Sequence, residues 1–203
     1  MSLNDWKSTA WGEATRRKFL KVLALTGTVS SLDLLGPLKK IGFGKEGEMT
    51  PEEMREKAMQ VFMKPKLFMC SQATLAVGQE KLGKKDWEVI KAMGAFGAGL
   101  GCNGEVCGAL IGALATMGLK FSRDQEEGRE DRKMWGYTAE LVKRFREEIV
   151  KNHSGIRCQE IAGVNWRDRE QVANYYKGEK FVECTRIVGD TAKLIGELLE
   201  RKA

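Results

Sequence analysis

The stretch Cys184-Thr185-Arg186-Ile187-Val188-Gly189-Asp190-Thr191-Ala192-Lys193-Leu194-Ile195-Gly196-Glu197-Leu198 decides the fold class. Cys184, Ile187, Val188, Thr191, Leu194, Ile195 and Leu198 recur every three or four positions, with Arg186, Asp190, Lys193 and Glu197 between them. A helix turns once in 3.6 residues, so the first set shares one inward face and the charges take the other.

Working outward, the same period recurs. Thr50-Pro51-Glu52-Glu53 supplies an N-cap, a proline at the first helical position and an acid three residues after the cap. Met54, Ala58, Val61 and Phe62 continue that helix until Pro65 ends it. A second helix is predicted from near Cys70 through Ala73, Thr74 and Val77 towards Gly83, and a third carries Trp87, Ile90 and Met93. A fourth runs from Glu105 to Met117, closed by Gly118. Residues 124–152, with Met134, Leu141, Phe145 and Ile149, predict one long amphipathic helix stopped by Gly155. A short helical turn over Cys158–Ala162 and a polar connection lead to the last helix. Period-two alternation is scarce. The expectation is an all-α fold, a single helical bundle over residues 50–203.

Composition narrows the classes. The chain has 203 residues, 42% apolar and 31% charged, which excludes wholesale disorder. No run of 18 uncharged apolar residues exists, so a polytopic membrane protein is excluded. Five cysteines are too few for a disulfide-dense miniature scaffold. The net charge of +6 comes from basic residues interspersed with acidic ones, without aromatic interleaving, so no nucleic-acid partner is expected. The lone His153 has no histidine partner, and no C-x-x-C-H occurs, so no haem is expected.

Residues 1–36 differ from the rest. Thr15-Arg16-Arg17-Lys18-Phe19-Leu20-Lys21 precedes eleven uncharged residues, 22–32, the layout of a targeting segment too short to span a membrane. The heptapeptide resembles the twin-arginine export signal of bacteria, with Thr where Ser is usual. That resemblance implies an exported, periplasmic or extracytoplasmic protein that folds, often around a cofactor, before crossing. Asp33 interrupts the apolar tail and no A-x-A-like cleavage site precedes Pro37, so a persistent membrane tether is one outcome. Residues 37–49, with Pro37, Gly42, Gly44 and Gly47, read as a linker.

Cys70, Cys102, Cys107, Cys158 and Cys184 stand on or beside four helices with no C-x-x-C pair. Cys70, Cys107 and Cys158 fall near helix N-termini, where unpaired N–H groups and the helix dipole favour a thiolate. Cys184 lies on the apolar face of the last helix. Residues 94–104 hold five glycines, a loop where backbone approaches something closely. Gly108 and Gly112, with Ala109 and Ala113, clear a helix face for a neighbouring backbone or a compact inorganic group. Gly101, Gly104, Gly108 and Gly112 are therefore candidate cofactor-binding positions.

Cys70-Ser71-Gln72, Cys107-Gly108-Ala109-Leu110-Ile111-Gly112, Cys158-Gln159-Glu160-Ile161-Ala162-Gly163 and Cys184 together resemble the redox-active family labelled C…GCAxxG…C…C. The resemblance covers roughly residues 55–200. The domain is also similar to the cluster-bearing part of split-Soret cytochromes, without their haem attachment motifs. These resemblances imply an iron–sulfur cluster of the two-iron or four-iron type on Cys70, Cys107, Cys158 and Cys184. Cys102 lies outside the signature.

The leading expectation is an exported electron-transfer or redox-sensing protein, more a carrier than an enzyme with its own substrate. Its partner would be a redox protein, a membrane-associated electron-transfer complex among the candidates, and a homodimer is one candidate assembly. A metal-free thiol–disulfide protein, a four-cysteine zinc site and a plain interaction module stand as alternatives.

Overall fold

A computed structural model describes residues 49–64 and 69–201. The export leader, the linker up to residue 48 and Pro65 lie outside the described residues. Eight α-helices follow in order: α1 Pro51–Met63, α2 Cys70–Lys81, α3 Trp87–Ala92, α4 Gly108–Phe121, α5 Lys133–Arg144, α6 Cys158–Ala162, α7 Arg169–Lys177 and α8 Glu179–Glu200. Among the described residues there is no strand, only an isolated antiparallel bridge between Val106 and Arg157. The fold is all-α.

Helix α1 begins as expected. The Thr50 N–H donates to Glu53 Oε2 at 2.7 Å and the Glu53 N–H donates to Thr50 Oγ1 at 3.3 Å, a reciprocal cap. α8 lies along α1 as the most extensive pairing, and α2 lies along α4. The α2–α4 contact is interlocked by small residues. A Cβ on Gly112 would overlap Thr74 Oγ1 and the Ser71 carbonyl, and one on Gly78 would overlap the Thr116 side chain. The two backbones thus approach more closely than any larger residue permits. The main core gathers Met54 and Ala58 from α1, Ala73 and Val77 from α2, and Leu110 and Met117 from α4. Leu141 and Phe145, with Ile187, Ile195 and Leu198 of α8, complete it. A second core at one end holds Cys158, Val172, Tyr175, Tyr176 and Phe181.

Four expectations are corrected. Residues 124–132 are not helical: their run of charges and Gly128 offers no apolar face to bury, so the chain loops before α5, which ends in a π-helical turn at Phe145–Ile149. Helix α4 starts at Gly108 rather than Glu105, because 105–107 is extended and pairs with 156–158 instead. It also passes Gly118 and runs to Phe121. The polar connection contains α7, capped by Asp168, whose carboxylate accepts from Glu170 N at 2.9 Å and Gln171 N at 3.1 Å.

Candidate functional site: four cysteines around one cavity

Each signature cysteine is delivered by a different helix. Cys70 is the first residue of α2, Cys107 caps α4, Cys158 opens α6, and Cys184 stands in the second turn of α8. All four line one cavity of about 40 Å³, with Phe62, Met69, Ala98, Ile161, Trp166, Tyr175, Tyr176, Ile187 and Val188 as further walls. Among the described residues, no carboxylate or imidazole lines it. Cys107 and Cys158 are buried, while Cys70 and Cys184 are half-buried. None of the five cysteines is in a disulfide.

Backbone hydrogen bonds bring the distant segments together. Cys107 N–H donates to the Ile156 carbonyl at 2.9 Å, and Cys158 N–H donates to the Glu105 carbonyl at 2.6 Å. Gln159 N–H donates to Gly104 O at 2.9 Å, and Arg157 pairs with Glu105 at 3.0 Å. These contacts hold the starts of α4 and α6 side by side. At Gly108 a Cβ would stand 2.6 Å from Cys70 Sγ, so glycine there lets the α2 sulfur sit over the start of α4.

The loop before α4 is built unusually. Ala98, Gly99, Leu100, Gly101 and Cys102 all have left-handed φ, between 51° and 70°. One left-handed turn costs roughly 1–2 kcal/mol at each non-glycine residue. It presents Ala98 to the cavity and is held by hydrogen bonds from Asn103 and Glu105 N–H to the Gly99 carbonyl, at 3.2 and 3.1 Å.

Of the candidate glycines, only Gly108 abuts a cavity sulfur. Gly112 packs on α2, Gly104 on Gln159, and Gly101 has no atom nearer than 3.6 Å to its notional Cβ. Cys102 sits apart, on a polar pocket of about 310 Å³ with Asn103, Gln159, Asn165 and Arg167. Trp166 lines both spaces.

Burial works against the expected thiolates at Cys107 and Cys158. Burial, and then the charges of the neighbouring cysteines, push Cys107 and Cys158 well above an ordinary thiol, and Cys184 up to about 12. The Ala109 N–H does favour the Cys107 thiolate, as a helix start should, but burial and three neighbouring thiols outweigh it. Two polar side chains in the cavity lining work against the rise, Tyr175 at Cys184 and Trp166 at Cys158. Buried thiols that resist ionising, as at Cys107, Cys158 and Cys184, favour a cation that takes the place of their protons. A set of four sulfurs is soft and suits iron–sulfur clusters, zinc or cuprous copper. Among the described residues no three His, Cys, Asp or Glu side chains converge to hold a single metal ion.

Sequence reading missed Trp166, Tyr175 and Tyr176. The signal was present: Val172, Tyr175 and Tyr176 at helical spacing behind a capping Asp168.

Residues 68–198 match the model of the family described as Putative redox-active protein (C_GCAxxG_C_C). No curated protein and no solved structure matches the chain.

Proposed function

We propose, since this chain belongs to the redox-active C_GCAxxG_C_C family, that it is an electron-transfer or redox-sensing protein holding one iron–sulfur cluster on Cys70, Cys107, Cys158 and Cys184. The observation that carries this reading is the cavity shared by four sulfurs from four helices, with no carboxylate or imidazole among its described lining residues. A lone tetrahedral zinc needs its sulfurs about 3.8 Å apart, from a Zn–S bond near 2.3 Å.

When bound, the cluster supplies reversible one-electron transfer. The chain's residues do the rest. Each cysteine must shed its proton to ligate, so loading releases protons and strengthens as pH rises. Ile161, Ile187 and Val188 keep water from the sulfurs, and the left-handed turn at 98–102 closes one side. Export by the twin-arginine route fits a protein whose cofactor is inserted during folding. The motif lies outside the described residues, and among the described residues no helix is long and apolar enough to cross a membrane.

Anaerobic purification with iron and sulfide analysis tests the reading. The expected protein is brown, with visible absorption bleached by dithionite and iron and sulfide in equal amounts. Serine at 70, 107, 158 or 184 should abolish loading, whereas Cys102→Ser should retain it. Colourless protein with stoichiometric zinc, or with two disulfides by mass, would replace the cluster by one of the alternatives.

A further inference from the structure

We propose that Tyr175 and Trp166 are positioning residues that donate hydrogen bonds to two cavity sulfurs, those of Cys184 and Cys158, and so raise the reduction potential of the group those cysteines hold. The inference rests on the cluster reading above and concerns residues that carry no part of the cysteine signature.

The geometry assigns both donors. Trp166 Nε1 is, among the described residues, the buried side-chain nitrogen or oxygen without a hydrogen-bond partner. Buried polar groups in native structures are nearly always paired, so an orphaned N–H requires an explanation. Its indole lines the cysteine cavity and faces Cys158, yet a protonated thiol is a weak acceptor. A thiolate or metal-bound sulfur is a far better one, and the indole N–H is already in place for it. Tyr175 is 5% exposed and its side chain lines the same cavity as Cys184, within reach of the sulfurs gathered there.

Both rings are locked. Trp166 meets Tyr175 edge-on, with centroids 4.9 Å apart and planes at 74°. Tyr175 in turn meets Tyr176 at 5.1 Å and Phe181 at 5.7 Å, both edge-on. The backbone carrying Trp166 is fixed by Asn165 N–H donating to Gln171 Oε1 at 3.0 Å and Arg167 N–H donating to Asn165 Oδ1 at 3.1 Å. Donors set rigidly against sulfur stabilise the more negative, reduced state more than the oxidised one. The apolar lining of the cavity lowers the local dielectric and enlarges that difference.

The test uses the full chain loaded anaerobically with ferrous iron and sulfide, titrated potentiometrically and followed by visible absorption. Tyr175→Phe and Trp166→Phe should keep wild-type iron and sulfide content. At fixed ambient potential each should lower the ratio of reduced to oxidised protein by about threefold to tenfold, tenfold being about 59 mV for a one-electron couple. 3-Fluorotyrosine at position 175, a stronger donor, should move the ratio the other way. The iron–thiolate stretch in resonance Raman spectra should shift with each variant, which a purely packing role would not produce. Should Trp166→Phe fail to load, the two changes at 175 decide the matter alone. Full loading with an unchanged potential and Raman spectrum in Tyr175→Phe overturns the inference while leaving the cluster intact. Wild-type protein that takes up no iron or sulfide overturns the cluster reading itself, and this inference with it.

Discussion

At the scale of single residues, burial outweighs local dipoles. Cys70, Cys107 and Cys158 begin helices, a position that favours a thiolate, but removal from water dominates at Cys107 and Cys158. The sign of the pH dependence follows. The folded thiols stay protonated while unfolded ones ionise near pH 8.5, so above that pH the unfolded chain binds fewer protons and is favoured. Cofactor-free protein should therefore lose stability steadily between about pH 8.5 and about 12, the value for Cys184. Urea unfolding at pH 7, 9 and 10.5 checks it, and Cys184→Ser should flatten the slope. Two glycines with left-handed φ offer a second residue-scale comparison. Gly99→Ala would bring its Cβ to 2.5 Å from Glu105 N, while Gly101→Ala meets nothing nearer than 3.6 Å. The former should cost at least about 2 kcal/mol, strain plus collision, and the latter about 1–2 kcal/mol from strain alone. Thermal melts separate them by a few degrees. The glycine run announced a close backbone approach. That Gly99 makes its approach to residues 104–105 needed the fold.

At the scale of elements, the α2–α4 contact predicts opposite outcomes for one substitution. Gly112→Ala drives a methyl group into Ser71 and Thr74, and should destabilise by about 1–3 kcal/mol or more. Gly118→Ala, in the same helix with open space around it, should stabilise by roughly 0.5–1 kcal/mol. For a chain this long each kcal/mol moves the melting temperature by about 2–4 °C, so calorimetry resolves both signs. Helix existence was legible wherever apolar residues kept the 3.6 period: Met54 and Ala58, Met134 and Leu141, and Ile187 to Leu198. Reading failed where that period was absent or short. Residues 124–132 carry helix-compatible charges but nothing to bury. The nine residues of α7 hide their three inward side chains among polar neighbours. The start of α4 was misplaced because residues 105–107 find backbone partners fifty residues away, which no local propensity reports.

At the scale of the whole molecule, the four sulfurs stitch α2, α4, α6 and α8 together across more than a hundred residues of chain. A ligand that binds only the folded state stabilises it in proportion to its excess over Kd, about 2.7 kcal/mol at a hundredfold excess. Loading with iron and sulfide should raise the melting temperature, and chelation should reverse the gain. If the proposed cluster binds, hydrogen exchange should show the largest added protection around residues 98–107 and 157–184, which hold Cys107, Cys158 and Cys184. Arg16→Lys with Arg17→Lys should leave the protein in the cytoplasm, as fractionation would show; undiminished export would refute the targeting role. By itself the sequence determined the helical class, the caps at Thr50, the inward face of α8 and the four-cysteine pattern. Each depends on interactions within a few residues or on an ordered motif. Only the tertiary structure decided that those sulfurs share one cavity, that Trp166 and Tyr175 line it with them, and that burial works against ionisation of Cys107, Cys158 and Cys184. Such features depend on which surfaces pack together and exclude water, a long-range balance that no local spacing encodes.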